Sequence, residues 1–389
     1  MRTIAGARVA PPPRLPIPAE SGKPDMSNEI ELWGSLTAPG SSQDPRMIAK
    51  RAQRLERDGW SGGAFPDSQI LAGEAFATLA WCAAATSRLK LGTGTSNPAT
   101  RHPSVIASAA ATVQTVSGGR MTLSIGRGDS SLAYIGAPPV SLGEFEKALA
   151  IIRAYLAGEE VSAENGTQFL SEKKDFSKLA IGEAPDKSSL KWLPQDYTAP
   201  ELEVAATGPK VIAIAARHAD RISLALGANV ERLKWAITTA REELERIGRD
   251  PTHLKFGAYI PCYPHPDHTL ARNLSQGMVA SMSRFSVMNK KVIGPVTDQE
   301  RENLERVAVA YDMKNHGANA SKQSQVLDAE FIDKFGLVGD PAICVERILE
   351  IRDLGIDKFI LWTADTEGVP GESYVCTVEE VVRKIRAGA

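Results

Sequence analysis

From Ile30 onward, short runs of apolar and β-branched residues alternate with longer stretches in which apolar residues recur at helical spacing. Eight of the short runs are typical of strands, and in chain order they are IELWGSL, SGGAFPD, RLKLGTGT, MTLSIGRG, ELEVAAT, DRISLAL, HLKFGAYIPC and DKFILWT. Strands that alternate with helices indicate a parallel sheet with crossover helices. Eight such units predict an α/β fold of the (β/α)8 TIM-barrel class.

The helical stretches carry their own start and stop signals. In DPRMIAKRAQRLERDG, Asp44 is the predicted cap, Pro45 is the first helical residue, and Gly59 is the stop. SLGEFEKALAIIRAYLAGEE, the fourth predicted helix, has Ser141 as its cap and Glu144 in the capping-box position. These helices are predicted to lie outside the barrel.

Two segments interrupt the alternation. Residues 160–200, after the fourth helix, are polar and loop-like, and residues 264–338, after the seventh strand, have helical patterns but no clear strand. Insertions of this kind often cover the mouth of a barrel. Residues 1–28 are interrupted by prolines and predict a flexible leader, whereas residues 29–389 predict one domain.

Composition and charge limit which partners, cellular location and metal sites are expected. Among 389 residues the formal net charge is −2, which gives no electrostatic reason to expect nucleic acid or an anionic membrane as a partner. No apolar run approaches the roughly 18 residues of a membrane span. The cysteines form no C-x-x-C pair, so neither a disulfide framework nor a zinc site is indicated; they are Cys82, Cys262, Cys344 and Cys376. A reducing, cytoplasmic location and a site without metal are expected.

Unusual polar residues follow several strands, at the end where a TIM barrel carries its active site. The second strand is followed by Asp67 and Ser68, the third ends in GTGTSNPATRHP, and the fourth ends in GRGDSS. Each residue also has an ordinary explanation as a helix cap or turn former. Their convergence on one end of the barrel favours a functional site.

The fifth strand runs through Thr207, Gly208 and Pro209 directly into a helix. The open amides and the positive dipole end of that helix suit an anion, although an ordinary turn is the alternative. Arg127 ends the neighbouring fourth strand, and its planar guanidinium suits a phosphate. The alternative for Arg127 is an ion pair with Asp129 or a glutamate. Asp129 itself is expected to cap the next turn, to orient Arg127, or to face substrate.

Other catalytic devices are absent from the sequence. It contains no G-x-S-x-G elbow and no P-loop, and both GTGTSN and GRGDSS lack the final glycine of a dinucleotide fingerprint. An organic cofactor that bears a phosphate is therefore favoured to carry the reaction.

Three stretches resemble the bacterial luciferase-like superfamily: LKLGTGTSNPATRHPSVIASAAATVQTVSGGRMTLSIGRGD, ATGPKVIAIAARHADRI and GLVGDPAICVERILEIRDLGIDKFILW. The resemblance spans about residues 30–260 and 335–365. The superfamily includes monooxygenases that use reduced FMN and oxidoreductases that use F420, among them methylenetetrahydromethanopterin reductase. The motifs are specific for the superfamily and much less specific for the reaction.

The resemblance assigns roles by position. Arg127 matches the arginine that contacts the FMN phosphate, Thr207 and Gly208 match the phosphate loop, and Gly94-Thr95 matches a non-proline cis peptide behind the flavin ring. Ser96 and Asn97 are then expected to hydrogen-bond the polar edge of the ring. The full set of predicted cofactor residues is Gly94, Thr95, Ser96, Asn97, Arg127, Gly128, Asp129, Ala206, Thr207, Gly208 and Pro209.

Two departures from the family pattern concern the chemistry. Ser68 stands where many relatives have a histidine that acts as acid or base, so Asp67 and Ser68 are the catalytic candidates. Gly126 stands where luciferase has a reactive cysteine, which opens space beside the ring.

The resemblance implies a flavin-dependent oxidoreductase. We favour a monooxygenase that uses reduced FMN and O2 on a small organic substrate, with the FMN supplied by a separate reductase. The alternatives are an F420-dependent hydride-transfer oxidoreductase and a flavin-binding protein without catalysis. Family members are often homodimers, and the apolar segment EAFATLAWCAAAT is expected either to form such an interface or to pack on the barrel.

Overall fold

Eight parallel strands close into a barrel. The computed structural model describes residues 30–37, 41–170, 180–181, 183–363 and 378–388. The barrel strands are β1 (Glu31–Ser35), β2 (Gly62–Phe65), β3 (Lys90–Thr93), β4 (Met121–Ile125), β5 (Glu201–Ala206), β6 (Arg221–Leu224), β7 (Lys255–Pro264) and β8 (Ile356–Trp362). Each strand pairs with the next, and β8 returns to β1, where Ile360 lies opposite Trp33. The predicted TIM-barrel class is confirmed.

Helices surround the barrel, and those at Pro45 and Leu142 begin where the sequence signals place them. They are α1 (Pro45–Arg57), α2 (Ala75–Ala85), α3 (Pro103–Ser117), α4 (Ser130–Ala133), α5 (Leu142–Leu156), α6 (Ala163–Thr167), α7 (Pro209–His218), α8 (Val230–Ile247), α9 (His268–Ser283), α10 (Asp298–Ala310), α11 (Ala329–Phe335), α12 (Pro341–Arg352) and α13 (Val378–Arg386). Asp44 caps α1, and the capping box of Ser141 and Glu144 is present at α5.

The barrel separates two apolar layers. Outward side chains of the strands, such as Leu91 and Leu123, pack beneath the helices. Inside the barrel, the ring of Trp33 lies across β2 and β3. A Cβ atom at Gly62 would come within 2.4 Å of that ring, so only glycine fits there. The interior apolar cluster continues through Tyr259 and Ile360 into the insertion after β7.

The described part of the first insertion contains short regular elements that its polar composition does not predict. Val161–Ser162 pairs antiparallel with Lys187–Ser188, and α6 follows the first of these short strands. Two-residue strands are too short to leave a periodic pattern in the sequence.

The second insertion contains α9, α10 and α11, as the helical patterns predict. It ends in Leu337–Gly339, a strand that the sequence did not reveal, which pairs with the end of β7. No helix among the described residues is long and apolar enough to cross a membrane. The predicted leader lies outside the described residues.

Candidate functional site

A buried ionic network links the ends of β2 and β3. The carboxylate of Asp67 is almost completely buried, and its Oδ2 accepts a hydrogen bond of 2.7 Å from Ser96 Oγ. Arg101 donates to the same oxygen through Nη1 and to Glu74 through Nη2, the second bond being 2.6 Å long. Asp67 therefore already holds two donors, an arrangement that suits positioning of the two loops.

The loop after β4 is bound to the loops after β2 and β3. Ser68 Oγ lies 3.3 Å from Ser130 Oγ, and Asn97 Nδ2 donates to Ser131 Oγ at 3.1 Å. The amide oxygen of Asn97 accepts from the backbone of Ala99 and Thr100. The side chains of Ser96, Asn97 and Ser68 thus bond to protein groups, and their roles toward a flavin or substrate stay predictions.

The Gly94-Thr95 peptide bond is cis, as the resemblance implies. The chain around it is fixed to both neighbouring strands: Gly94 N donates to Phe65 O at 2.7 Å, and Ser96 N donates to Ser124 O at 2.9 Å. A Cβ atom at Gly126 would lie 3.0 Å from Thr95 Oγ1. Glycine at position 126 therefore lets the two strand ends approach closely.

Arg127 has no carboxylate partner among the described residues. Its Nε donates to Val140 O at 2.6 Å, which leaves the terminal nitrogens of the guanidinium for another acceptor. Burial lowers the pKa of Arg127, and no nearby anion offsets that effect. The alternative of an ion pair with Asp129 does not hold, because Asp129 pairs with Arg284 in the second insertion. Asp129 also makes no side-chain capping bond to α4.

The turn after β5 follows the strand that neighbours the one before Arg127, since Ile125 at the end of β4 pairs with Val204 in β5. Gly208 is the N-cap of α7 and Pro209 its first residue, and no side chain caps the first turn. Thr207 is half-buried, with a weak bond of 3.5 Å from Oγ1 to Ala225 O. Ala206 packs between the barrel and the helices, so its side chain lies away from the mouth.

These residues fit the phosphate of an organic cofactor. A partly desolvated guanidinium without a counter-ion and an uncapped helix start are both groups that an anion stabilises. Gly128 adopts φ +81°, a conformation that L side chains rarely adopt, so the loop that carries Arg127 depends on glycine there. No cluster of potential metal ligands occurs among the described residues.

A buried ion pair crosses the barrel beneath the mouth. Lys358 Nζ on β8 lies 2.5 Å from Glu203 Oε2 on β5, and both side chains are only 1% exposed. Ser124 Oγ donates to the other oxygen of Glu203 at 2.8 Å and lies 3.0 Å from Tyr259 Oη. Lys358 Nζ also lies 3.6 Å from the ring centre of Trp33. The sequence patterns did not predict this network, although each of the two strands carries a charged residue within an apolar run.

A second cluster missed from the sequence lies on the insertion. The guanidinium of Arg284 pairs with Asp129 and stacks on the ring of Tyr311, 4.6 Å from its centre. Tyr311 Oη lies 2.5 Å from Nδ1 of His316. Tyr134, from the loop after β4, donates to Met313 O at 2.8 Å. No local sequence motif predicts a contact between residues more than 150 positions apart, such as that between Arg284 and Asp129.

The chain is similar in sequence to proteins of known family. A family model described as luciferase-like monooxygenase matches residues 29–358. A 5,10-methylenetetrahydromethanopterin reductase from Methanolobus tindarius is 26% identical over 295 residues, which cover 74% of this chain and 81% of that protein. An F420-dependent glucose-6-phosphate dehydrogenase from Beutenbergia cavernae is 34% identical over 157 residues, or 38% of this chain and 42% of the relative.

Among solved structures, the coenzyme F420-dependent tetrahydromethanopterin reductase from Methanopyrus kandleri superposes with a TM-score of 0.65 at 19% identity. The superposition covers 91% of this chain and 96% of that one, and it shows the shared fold. Since the family model spans most of the sequence, the chain belongs to the luciferase-like monooxygenase family and is an oxidoreductase.

Proposed function

We propose that this protein is an oxidoreductase that transfers hydride between coenzyme F420 and a small organic substrate. The observation that carries a phosphate-bearing cofactor is Arg127, a guanidinium without a carboxylate partner among the described residues. It follows β4, the neighbour of the strand that leads into the uncapped start of α7. The choice of F420 is supported by the relative from Beutenbergia cavernae, whose name states F420 dependence. The sequence alone favoured FMN narrowly.

Different residues of the chain would bind the phosphate, support the ring and position the loops. Arg127 and the amides at the start of α7 would hold the phosphate. The backbone around Gly94 and Thr95 would support one face of the ring, and Asp67 with Arg101 would keep the two neighbouring loops in register. The bound cofactor would supply hydride-transfer chemistry, which no side chain of a protein provides.

A monooxygenase that uses reduced FMN is the second candidate. The description of the family model supports it, and so does the match of Arg127 to the arginine that contacts the FMN phosphate. In that case a separate reductase would be the partner that supplies reduced FMN.

Titration of the purified protein separates the two candidates. We expect micromolar binding of F420, measured by fluorescence, and negligible binding of oxidised FMN and of reduced FMN under anaerobic conditions. Tight binding of reduced FMN without F420 binding would favour the monooxygenase. Binding of none of the three would reject the cofactor assignment.

We also propose that the protein forms a homodimer through α2 and α3. These helices pack against each other and contain no charged residue along their length. Their outer face exposes large apolar side chains: Trp81 is 55% exposed, Val105 52% and Val116 44%. An uncharged apolar face of this kind is typical of an interaction surface.

The substitution Trp81→Glu is therefore expected to convert a dimer into a monomer, because a charge would be buried without a partner at the centre of the interface. Size-exclusion chromatography with light scattering measures the mass. Ile343→Glu on the outer face of α12 is the control and should leave the dimer intact, since Ile343 is similarly exposed. A monomeric wild type, or a dimeric Trp81→Glu variant, would contradict this interface.

A further inference from the structure

A buried arginine at the start of α8 leaves most of its hydrogen-bonding capacity unused. Arg232 is 2% exposed, and its guanidinium makes one hydrogen bond among the described residues, from Nη2 to Ile293 O at 2.8 Å. Its Nε is buried without a partner. Other buried arginines are saturated by oxygen atoms of the protein: the side chain of Arg120 donates five hydrogen bonds and that of Arg347 donates four. A guanidinium has five N–H donors, so Arg232 is able to bind a further acceptor.

The charge of Arg232 is also uncompensated. No described carboxylate forms an ion pair with it, and Glu300, which influences it from a distance, is paired with Lys334 Nζ at 3.2 Å. Burial lowers the pKa of Arg232 to about 10, so the side chain is still charged at neutral pH. Arg232 lies in the first turn of α8, where the helix dipole disfavours a cation. A buried charge in these surroundings is costly unless an anion joins it.

Arg232 lies close to the uncapped start of α7. The end of β6, which leads to α8, pairs with the end of β5, which leads to α7, since Ala206 lies opposite Leu224. Ile293 contacts both helix starts. Its carbonyl accepts the bond from Arg232, and its Cδ1 lies 3.4 Å from the position that a Cβ atom at Gly208 would take. One residue therefore separates Arg232 from the turn that is assigned to the phosphate.

The two segments that meet at Ile293 carry further positive charge. Lys210 is in the first turn of α7, and Lys290 and Lys291 come three and two residues before Ile293. All three lysines are exposed, and none forms an ion pair with a described carboxylate. Unpaired cations on both segments raise the electrostatic potential around this turn and favour an anion there.

We propose that Arg232 is a second cationic residue of the cofactor site and binds an oxyanion in the arm that F420 carries beyond its ring. This inference rests on the proposed function. The arm contains a phosphodiester and, farther from the ring, the carboxylates of glutamate residues, and a guanidinium recognises both kinds of oxyanion. Arg232 acts from the β6 side of the turn at Gly208, whereas Arg127 follows β4 on the other side of β5.

The test compares the Kd values of three deazaflavins by fluorescence titration. They are F420 with its glutamyl tail, F420 without glutamate, and the phosphate-free deazaflavin that ends in a ribityl chain. Arg232→Met should weaken binding of tailed F420 about 10-fold or more, because a hydrogen bond to a charged group is lost. Binding of the phosphate-free compound should not change, since it carries no oxyanion.

The form without glutamate identifies the group that Arg232 binds. An affinity loss for both anionic forms would assign the phosphate, and a loss for the tailed form alone would assign a glutamyl carboxylate. Arg232→Lys should show a smaller loss than Arg232→Met, because lysine keeps the charge but not the planar fork. Arg232→Gln, which keeps a donor for Ile293 O, provides the measurement if the methionine variant does not fold.

Arg241→Met is the matched control, because it removes the same charge from the exposed face of the same helix and should bind all three compounds like wild type. Unchanged Kd values for both anionic forms in Arg232→Met would overturn the inference. An equal loss for all three deazaflavins would also overturn it, because that result indicates a structural role. A wild type that binds the phosphate-free compound as tightly as F420 does the same, while the binding of F420 itself stands. A wild type that binds no deazaflavin rejects the proposed function.

Discussion

Replacement of Arg127 by methionine is expected to weaken cofactor binding by about 1.5–3 kcal/mol, or roughly 10- to 150-fold in Kd. The loss has this size because a charge-assisted hydrogen bond to a phosphate disappears while the apolar stem of the side chain is kept. The guanidinium has only Val140 O as its partner among the described residues, so the apoprotein should lose little stability. Equilibrium titration with F420, and with reduced FMN in parallel, measures the effect.

Two further variants sharpen this prediction. Arg127→Lys should give an intermediate affinity, since lysine keeps the charge but not the planar fork. Arg241→Met, on the exposed face of α8, removes the same charge far from the mouth and should leave Kd unchanged. Equal affinities of wild type and Arg127→Met would reject the phosphate role of this residue.

Lys358→Met is expected to lower the free energy of unfolding by about 3–5 kcal/mol. The substitution leaves Glu203 as a buried carboxylate whose remaining hydrogen bonds among the described residues come from the hydroxyls of Ser124 and Tyr259. It also removes the ammonium group from the face of Trp33. Denaturant unfolding followed by tryptophan fluorescence measures the change.

The surface pair of Lys384 and Glu380 provides the control. Lys384 Nζ lies 3.7 Å from Glu380 Oε1, and both side chains are about 40% exposed. Lys384→Met should therefore change the free energy of unfolding by no more than about 0.5 kcal/mol. The double variant Lys358→Met with Glu203→Gln should recover part of the loss, because it no longer buries an unpaired charge. A single Lys358→Met variant as stable as wild type would show that the pair does not hold the barrel together.

Local chemistry made the elements of the barrel predictable. Asp44 before Pro45, and Ser141 three residues before Glu144, identify helix starts through bonds within a single turn. The strand Leu337–Gly339 escaped prediction because three residues leave no period to recognise. It pairs in parallel with Cys262, Tyr263 and Pro264, in the part of β7 that extends beyond the pairing of β7 with β8.

The parts of the candidate site that depend on local sequence were predictable, and the contacts between distant segments were not. The positions of Arg127 and of the turn at Gly208 follow from the rule that parallel strands of a barrel end on one face. The partner of Asp129 did not follow, because Arg284 lies 155 residues away on an insertion whose path no local pattern determines. Arg101 was similarly invisible as the partner of Asp67.

The sequence by itself determined the barrel, the helix caps and the set of groups able to hold a phosphate, because these depend on spacing and on contacts between near neighbours. Only the tertiary structure decided how charges are paired inside and above the barrel. Glu203 meets Lys358 across the interior, and Asp129 meets Arg284 at the mouth. The two members of each pair are far apart in the chain. A buried charge is costly unless it is paired, so its partner is set by which residues the fold brings together.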